Sequence, residues 1–211
     1  MLVEGHGESD AVLNLLNRLA SECAPALLPF GAPIRVPGIS RDDSLLRYLE
    51  LVRAKHDAHA VIALRDNEDG CPKQDAPRIA ALFAEKNMPF PAALVMAYRE
   101  YESLFLPCID VMAGRDLDGI AGTRPGLRAD ATFEGDDYEG VRGVKEWLTR
   151  QMPRGRSYKP TIDQLLFTRM VDFDIVRRKR LPWFDSLNRA LQFLANHLGE
   201  IGAVYPPPGA I

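Results

Sequence analysis

Hydrophobic residues follow two different spacings along the first hundred positions. They recur every three or four residues between positions 12 and 19 and again between 45 and 52, which predicts two amphipathic helices. The apolar runs at 60–64 and 92–98 do not alternate with polar residues. Such runs are typical of strands that are covered on both faces in a parallel sheet.

The remaining elements of this half fit the same pattern. Apolar residues lead to Glu4 in a short first strand, two prolines flank an edge strand at 34–36, and a helix is expected at 72–86. Strands and helices therefore alternate, which predicts an α/β fold with a mostly parallel sheet flanked by helices. We expect this core to span residues 1–110.

The second half has a different pattern. Residues 99–107, REYESLFLP, predict a short helix that its final proline stops, and residues 114–143, rich in Gly, Asp and Arg, predict loops or a mobile insertion. Two helices are expected next, with apolar residues at 162, 165, 166 and 170 and at 187, 191 and 194. We expect residues 111–211 to form a loop-rich insertion and a helical C-terminal portion, packed on the core as one unit.

The composition excludes several classes of protein. No apolar run approaches the roughly 18 residues of a membrane helix, and the first residues lack the basic and apolar regions of a signal peptide, so we expect a cytoplasmic protein. Cys23, Cys71 and Cys108 are far apart and odd in number. They predict reduced thiols rather than a disulfide framework or a zinc site.

Charge is distributed unevenly along the chain. Residues 1–140 hold 14 Lys and Arg against 23 Asp and Glu, whereas residues 141–180 hold 11 against 4. A basic segment on an acidic body suits a protein that places metal-binding carboxylates beside a polyanion, and a solvated basic face is the alternative. The residues that would contact phosphates, independently of nucleotide sequence, are Arg154, Arg156, Lys159, Arg177, Arg178, Lys179 and Arg180.

Acidic residues follow two of the predicted strands. Glu4 closes the first strand, and Asp66, Glu68 and Asp69 follow a buried run in RDNEDG. Ligands of open parallel sheets collect at the carboxyl ends of the strands, where these side chains would converge. Mg²⁺ or Mn²⁺ would suit such oxygen ligands and relieve their repulsion. The alternatives are a solvated surface acid at Glu4 and an ordinary Asx turn in RDNEDG.

Four further residues lie beside this predicted site. Glu100, which follows the last buried strand, is a candidate outer ligand or orienting residue. His6, flanked by glycines, would contact a phosphate or donate a proton, or else lie exposed in a loop. Arg65 and Arg99 each adjoin a strand-end acid, and they would either clamp a phosphate or form ion pairs with the acids.

Three motifs carry a family resemblance. LVEGHGESDAVL is similar to the first motif of Toprim domains, a strand-end Glu followed by Gly and a helix, and VIALRDNEDG is similar to the second, Asp-x-Asp after a buried strand. VEGHGE, RDNEDGCP and REYESLFLP, followed by a helical portion with YKPTIDQLL, together resemble the bacterial Toprim-like family catalogued as domain of unknown function 4276. The resemblance spans nearly the whole chain.

The resemblance implies a set of site residues. Glu4 matches the Toprim acid/base glutamate, and Asp66 and Glu68 match the metal-binding Asp-x-Asp. The family motif has Asp where this chain has Glu68, and Asp69 follows it, so either residue would hold metal. Only three residues precede Glu4, fewer than the five or six of a usual strand, and we expect the natural start codon to lie upstream.

The resemblance also implies a function. A metal-dependent nuclease or related phosphoryl-transfer enzyme would use Glu4 as general base or acid, with Mg²⁺ or Mn²⁺ held by the other acids. Its substrate would be DNA or RNA, and its setting phage defence with an ATPase partner or a second copy of the chain. The alternatives are a Toprim-like scaffold that binds a protein partner without chemistry, and an enzyme that hydrolyses a small nucleotide.

Overall fold

The structure, a computed structural model, describes residues 1–120 and 122–209, and for residues 6–8 it describes the backbone alone. Within that part of the chain, five strands form one sheet with the spatial order 2-1-3-4-5, and every neighbouring pair is parallel. The predicted α/β class is therefore confirmed. The strands are β1 (Leu2–Val3), β2 (Ile34–Arg35), β3 (Val61–Asn67), β4 (Ala92–Tyr98) and β5 (Val204–Tyr205).

Helices flank the sheet on both faces. Between positions 144 and 209 the structure contains four helices, rather than the two that the spacing predicted. Among the described residues, no helix is long and apolar enough to cross a bilayer. The helices are α1 (His6–Cys23), α2 (Asp42–Arg53), α3 (Pro72–Glu85), α4 (Ile109–Met112), α5 (Val144–Gln151), α6 (Pro160–Met170), α7 (Phe173–Arg178) and α8 (Pro182–Asn196).

Strand alternation divides the side chains of β3 between two cores. Ile62 and Leu64 join the larger core, which contains α1 and most of the second half, whereas the odd-numbered positions join a smaller core with α2 and α3. The strand continues three residues past the predicted apolar run. Because the alternation continues with it, Arg65 and Asp66 point toward opposite faces of the sheet.

The segment after β4 is not the short helix that the sequence predicted. It forms two 3-10 turns, Tyr101–Leu104 and Leu106–Cys108, and then the short helix α4. Pro107 does not end the segment, because it lies in the first turn of a helical element, where its missing N–H is tolerated. The tail then adds β5 beside β4, a strand too short to leave a hydrophobic pattern.

Helix α6 has the predicted position but buries a different face. Ile162 is 48% exposed, whereas Asp163 and Gln164 are buried. The carboxylate of Asp163 accepts hydrogen bonds from Arg156 Nη2 at 2.7 Å and from the Lys159 backbone N–H at 2.9 Å. A buried carboxylate is stable only with such partners, and hydrophobic spacing does not reveal them.

Arg65 fastens the loop between β2 and α2 to the end of β3. Its side chain is buried, and Nη1 donates to the carbonyl oxygens of Ile39 at 3.0 Å and Ser40 at 2.9 Å. The same atom lies 3.7 Å from Asp42 Oδ1. Burial lowers the pKa of the Arg65 guanidinium, and nearby carboxylates, Asp42 first, oppose this shift. Arg65 thus orders the loop that follows β2.

Replacing this arginine tests its structural role. We expect Arg65→Met to lower the free energy of unfolding by about 2 kcal/mol, because carbonyl groups at a buried site lose their donor. Arg78→Met is the matched control: Arg78 also pairs with Asp42, at 2.7 Å, but its side chain is 54% exposed, so the loss should stay below about 1 kcal/mol. Urea unfolding measures both changes, and equal losses would contradict the assignment.

The long loop that precedes α5 contacts the amino end of α8. Glu139 Oε1 accepts a hydrogen bond from the Trp183 backbone N–H at 2.5 Å, in the first turn of α8. Burial raises the pKa of Glu139 to about 7, and the Trp183 N–H opposes this shift. Among the surrounding charges, Asp137 and Asp185 raise that pKa and Lys73 lowers it. The Glu139 carboxyl therefore titrates near neutral pH.

The raised pKa of Glu139 predicts a pH-dependent stability. Between about pH 7 and the ordinary Glu pKa of about 4.3, the folded chain binds a proton that the unfolded chain does not. The contribution of Glu139 to the free energy of unfolding is therefore fully present below the pKa that this group has in the unfolded chain. It is lost as the pH rises through about 7, the pKa of the group in the folded chain.

We expect Glu139→Gln to flatten this dependence, measured as the difference in free energy of unfolding between pH 5 and pH 8. Glu134→Gln, an exposed change in the same loop, is the control and should follow the wild type. An unchanged dependence in Glu139→Gln would contradict the prediction.

Candidate functional site

A polar cleft lies at the carboxyl edge of the sheet, where the loops after β1, β2 and β3 meet. Its volume is about 290 Å³. The cleft brings together the acids that the sequence singled out after the first and third strands. Its lining residues are Glu4, Ser40, Arg65, Asp66, Asn67, Glu68 and Asp69.

Glu4 lies between β1 and the start of α1. The residue is half-buried, and its carbonyl oxygen accepts a hydrogen bond from Arg35 Nε at 3.3 Å. Leu2 pairs with Ala63 and both lie in the smaller core, so Glu4, two residues further on, lies toward the same side of the sheet as Arg65. The Ser9 hydroxyl donates to the Gly5 carbonyl at 3.2 Å and secures the turn into the helix. The side chain of His6, also predicted for this site, lies outside the described residues.

Asp66 is held by the segment after β4, on the face of the sheet opposite to Arg65. Its Oδ1 accepts a hydrogen bond from the Tyr101 backbone N–H at 2.8 Å. Tyr101 begins the first 3-10 turn after β4, so the neighbouring strand sets the orientation of this carboxylate. The site therefore depends on a segment that lies 35 residues further along the chain.

Asp69 and Glu68 occupy different environments. Asp69 Oδ1 lies 2.9 Å from Arg142 Nη2 and 3.6 Å from Arg99 Nη1. The Glu68 carbonyl accepts a hydrogen bond from Arg99, but its carboxylate has no ion pair or hydrogen bond within the described part of the chain. Of the two carboxylates, that of Asp69 is therefore already paired with cations, whereas that of Glu68 is not.

Arg99 stabilises the loops at the ends of β3 and β4. Its backbone has a φ of 68°, a left-handed conformation, and its N–H donates to the Asn67 carbonyl at 3.2 Å. The guanidinium lies 4.5 Å from the centroid of the Tyr98 ring. Arg65 and Arg99 both contact carbonyl groups of this chain, and their carboxylate partners are Asp42 and Asp69, respectively.

Gly70 completes the acidic turn after β3. A Cβ at this position would lie 2.2 Å from Asp75 Oδ2 and 2.6 Å from Asn67 Oδ1. These two side chains are joined by a hydrogen bond from Asn67 Nδ2 to Asp75 at 3.1 Å. The glycine in RDNEDG therefore allows α3 to begin close to the cleft.

A lysine that the sequence did not indicate lies among the acids after β4. Lys145, in the first turn of α5, has its Nζ 3.8 Å from Glu100 Oε2 and 3.4 Å from Glu102 Oε2. The Lys145 backbone N–H also faces Glu100 Oε2, at 3.4 Å. Glu100 thus reaches the edge as predicted and binds this lysine. The sequence around Lys145 contains no motif that would have identified it.

Glu102 is wholly buried behind this lysine. Its Oε1 accepts hydrogen bonds from Tyr158 Oη at 3.0 Å and from Gln164 Nε2 at 3.3 Å. Burial raises the pKa of Glu102, and the charge of Lys145 opposes the shift. Burial alone would lower the pKa of Lys145, but the carboxylates of Glu102, Asp66 and Glu100 raise it overall.

Among the described residues, no three His, Cys, Asp or Glu side chains lie close enough together to hold a metal ion. Strand alternation explains part of this result, since Asp66 is held on one side of the sheet and Glu4 lies toward the other. Mg²⁺ needs only one or two protein carboxylates, because waters and substrate phosphates supply its other ligands. The carboxylate oxygens of the cleft are therefore the kind of ligand that Mg²⁺ or Mn²⁺ takes, for an ion that keeps some of its waters.

The predicted phosphate contacts include a run of four consecutive basic residues, Arg177 to Arg180, which is divided between two roles. Arg177 Nη2 lies 2.7 Å from Glu22 Oε2 on α1, and Lys179 Nζ lies 3.8 Å from a carboxylate of α4. Arg178 and Arg180 are exposed. Half of the run therefore joins helices to one another, and half remains accessible to an anionic partner.

Comparisons with known proteins provide no relative on which an assignment would rest. No protein-family model, no curated protein and no solved structure matches this chain. Its function must therefore be inferred from the cleft, the charges around it and the motifs of its own sequence.

Proposed function

We propose that this chain is a metal-dependent nuclease, or a related phosphoryl-transfer enzyme, of the Toprim type. The observation that carries the proposal is the cleft in which Glu4, Asp66 and Glu68, at the carboxyl ends of two adjacent parallel strands, line one space. Open α/β sheets bind their ligands at this carboxyl edge. The similarity of three motifs to the Toprim-like family catalogued as domain of unknown function 4276 supports the same proposal.

Three of the cleft acids have a role in this proposal. Asp66 and Glu68 would hold one Mg²⁺ or Mn²⁺ together with waters, and this ion would polarise a phosphate and offset its charge. Glu4 would accept or supply the proton that moves at the reacting oxygen. Asp66 is suited to its part because the Tyr101 N–H fixes its orientation.

The proposed substrate is a nucleic acid, and the proposed setting is the cytoplasm. Exposed Arg154, Arg178 and Arg180 would contact the phosphate backbone, which gives affinity without sequence preference. Such contacts suit DNA and RNA equally. An ATPase partner in phage defence and a homodimer belong to the same proposal, and they rest on the motif resemblance alone.

A scaffold without chemistry is the second candidate. Two observations favour it: Asp69 is paired with two arginines, and no group of three metal-binding side chains occurs in the described part of the chain. Such a protein would bind an ATPase partner or a second copy of itself through its surface. Cleavage assays separate the two candidates.

We expect wild-type protein to cleave at least one of duplex DNA, single-stranded DNA and total tRNA in Mg²⁺ or Mn²⁺, and none in EDTA. Glu4→Gln and Asp66→Asn should each lower the rate about 100-fold or more, because each loses a carboxylate that acts on the proton or the metal. Gel assays of cleavage products give the rates.

The control variant is Asp57→Asn, which changes an exposed carboxylate at the amino edge of the sheet and should cleave like wild type. Circular dichroism shows whether each variant is folded. Equal cleavage by every variant would indicate a contaminating nuclease. No cleavage by folded wild type with metal would count against the enzyme and favour the scaffold.

Glu68 and Asp69 provide a second test within the same turn. We expect Glu68→Gln to weaken Mn²⁺ binding about tenfold or more, because it removes a cleft carboxylate. Asp69→Asn should change it little, because Arg142 and Arg99 already offset that charge. Electron paramagnetic resonance of unbound Mn²⁺ measures both affinities. A larger effect from Asp69→Asn would reverse the assignment.

A further inference from the structure

Two segments of the second half form a basic surface. Residues 115–131 belong to the loop after α4, and residues 149–163 connect the end of α5 to the start of α6. These segments contain seven Lys and Arg against four Asp, so their net charge is +3, whereas that of the whole chain is -3. The cations of this basic surface are Arg115, Arg124, Arg128, Arg150, Arg154, Arg156 and Lys159.

Hydrogen bonds join the first segment to the end of α5. The Arg128 backbone N–H donates to the Gln151 carbonyl at 2.9 Å, and Arg128 Nη1 donates to the Arg150 carbonyl at 3.1 Å. The last carbonyl groups of a helix have no partner within the helix, and a cation there is favourable. Arg128 therefore holds the loop against the last turn of α5, next to Arg150.

A second set of contacts joins the same loop to the start of α6. Arg124 Nη2 lies 3.7 Å from Asp163 Oδ1 and 3.4 Å from the Ile162 carbonyl oxygen. Arg156 Nη2 lies 2.7 Å from the same carboxylate oxygen, and Asp163 is only 2% exposed. One buried carboxylate thus binds two arginines and offsets the charge of one. Because the loop contacts both α5 and α6, the cations of the two segments belong to one surface.

The loop itself is held together by a close approach of its two arms. The Gly126 N–H donates to the Arg115 carbonyl at 3.1 Å, and the Leu117 N–H donates to the Arg124 carbonyl at 2.8 Å. A Cβ at position 126 would lie 2.6 Å from the Arg115 carbonyl oxygen, so this approach requires glycine. Arg115 therefore lies beside the segment that contacts α5.

Four cations of the basic surface remain available to a partner. The acids of the two segments are engaged elsewhere: Asp116 and Asp118 accept hydrogen bonds within the loop, and Asp130 pairs with Arg128. The four available side chains are exposed, and none has an ion pair or hydrogen bond within the described part of the chain. They are Arg115, Arg150, Arg154 and Lys159.

Helix α5 connects the basic surface to the carboxyl edge of the sheet. Its first turn contains Lys145, whose Nζ lies 3.8 Å from Glu100 Oε2 at that edge, and its last turn contains Arg150. A helix of this length spans about 12 Å. One strand of duplex DNA has a phosphate about every 3.4 Å, so phosphates about four positions apart would reach both ends of α5.

We infer that the basic surface binds the phosphate backbone of the nucleic acid on which the cleft acts. The inference rests on the proposed function and adds the surface along which the substrate lies. Available cations on a hydrogen-bonded support attract a polyanion without reading its bases. Because the cleft is mainly acidic, affinity for a polyanion must come from outside it. Arg115 and Arg150 thereby join the phosphate contacts, although the sequence did not indicate either.

The salt dependence of binding tests the inference. Fluorescence anisotropy of a labelled DNA duplex, and of labelled tRNA, measures binding to the full chain in EDTA, where no metal-dependent cleavage occurs. We expect the double variant Arg115→Gln with Arg150→Gln to make the slope of log K against log salt concentration shallower by about 2 on the duplex, since each lost phosphate contact removes about 0.9. Arg115→Lys with Arg150→Lys should keep the slope, because both charges remain.

The matched control removes two exposed cations from another surface. Arg47→Gln with Lys55→Gln changes one residue on α2 and one just after it, and the slope should equal that of the wild type. Circular dichroism shows whether each variant is folded. An equal decrease in the control variant would indicate that only the net charge matters, and it would overturn the inference.

The remaining outcomes separate the surface from the nuclease. An unchanged slope in the folded Arg115→Gln, Arg150→Gln variant overturns the inference and leaves the nuclease proposal to the cleavage assays. The expected decrease without cleavage by the wild type supports the surface and counts against the nuclease. No binding of DNA or tRNA by the folded wild type overturns both. Displacement of the duplex by polyglutamate as readily as by unlabelled DNA would indicate an acidic protein partner and would also overturn the inference.

Discussion

Polar groups buried in a protein core must find partners there, and this requirement joins the two halves of the chain. The turn Tyr101–Leu104 follows β4, and all four of its residues are buried. Its three polar side chains each bind a residue from the second half, so the sheet edge and the helical portion depend on one another. The bonds are Tyr101 Oη with Thr168 Oγ1 at 2.9 Å, Trp183 Nε1 to Ser103 Oγ at 2.8 Å and Tyr158 Oη to Glu102 Oε1 at 3.0 Å.

The same turn connects this core to the cleft. The backbone N–H of Tyr101 holds Asp66, and the carboxylate of Glu102 holds Lys145 at the same edge. Displacement of the helical portion would therefore alter both the orientation of a cleft carboxylate and the location of a nearby positive charge. The second half thus supports the site structurally, although all seven residues that line the cleft belong to the first 70 positions.

The alternation of strands and helices and the parallel sheet could be predicted because the buried strands β3 and β4 leave long apolar runs, and the acids that follow β3 could be located from the end of its run. The buried face of α6 could not, because Asp163 and Gln164 lie inside with partners that are distant in sequence or in a preceding loop. Lys145 was missed for a related reason: its acidic neighbours lie more than 40 positions away. Hydrophobic spacing indicates which residues are buried, but it does not indicate which charged side chains that are distant in sequence lie close together in the structure.

The distribution of charge around the cleft limits how a polyanion would bind. Three cations near this edge are already engaged, since Arg99 and Arg142 pair with Asp69 and Lys145 pairs with Glu100 and Glu102. Arg65 lines the cleft, but it is buried and donates to carbonyl groups. Apart from the neutral Ser40 and Asn67, the remaining lining is acidic and would repel a phosphate on its own. In the proposed enzyme, cation and substrate must therefore bind together, because each supplies the charge that the other needs in order to enter the cleft.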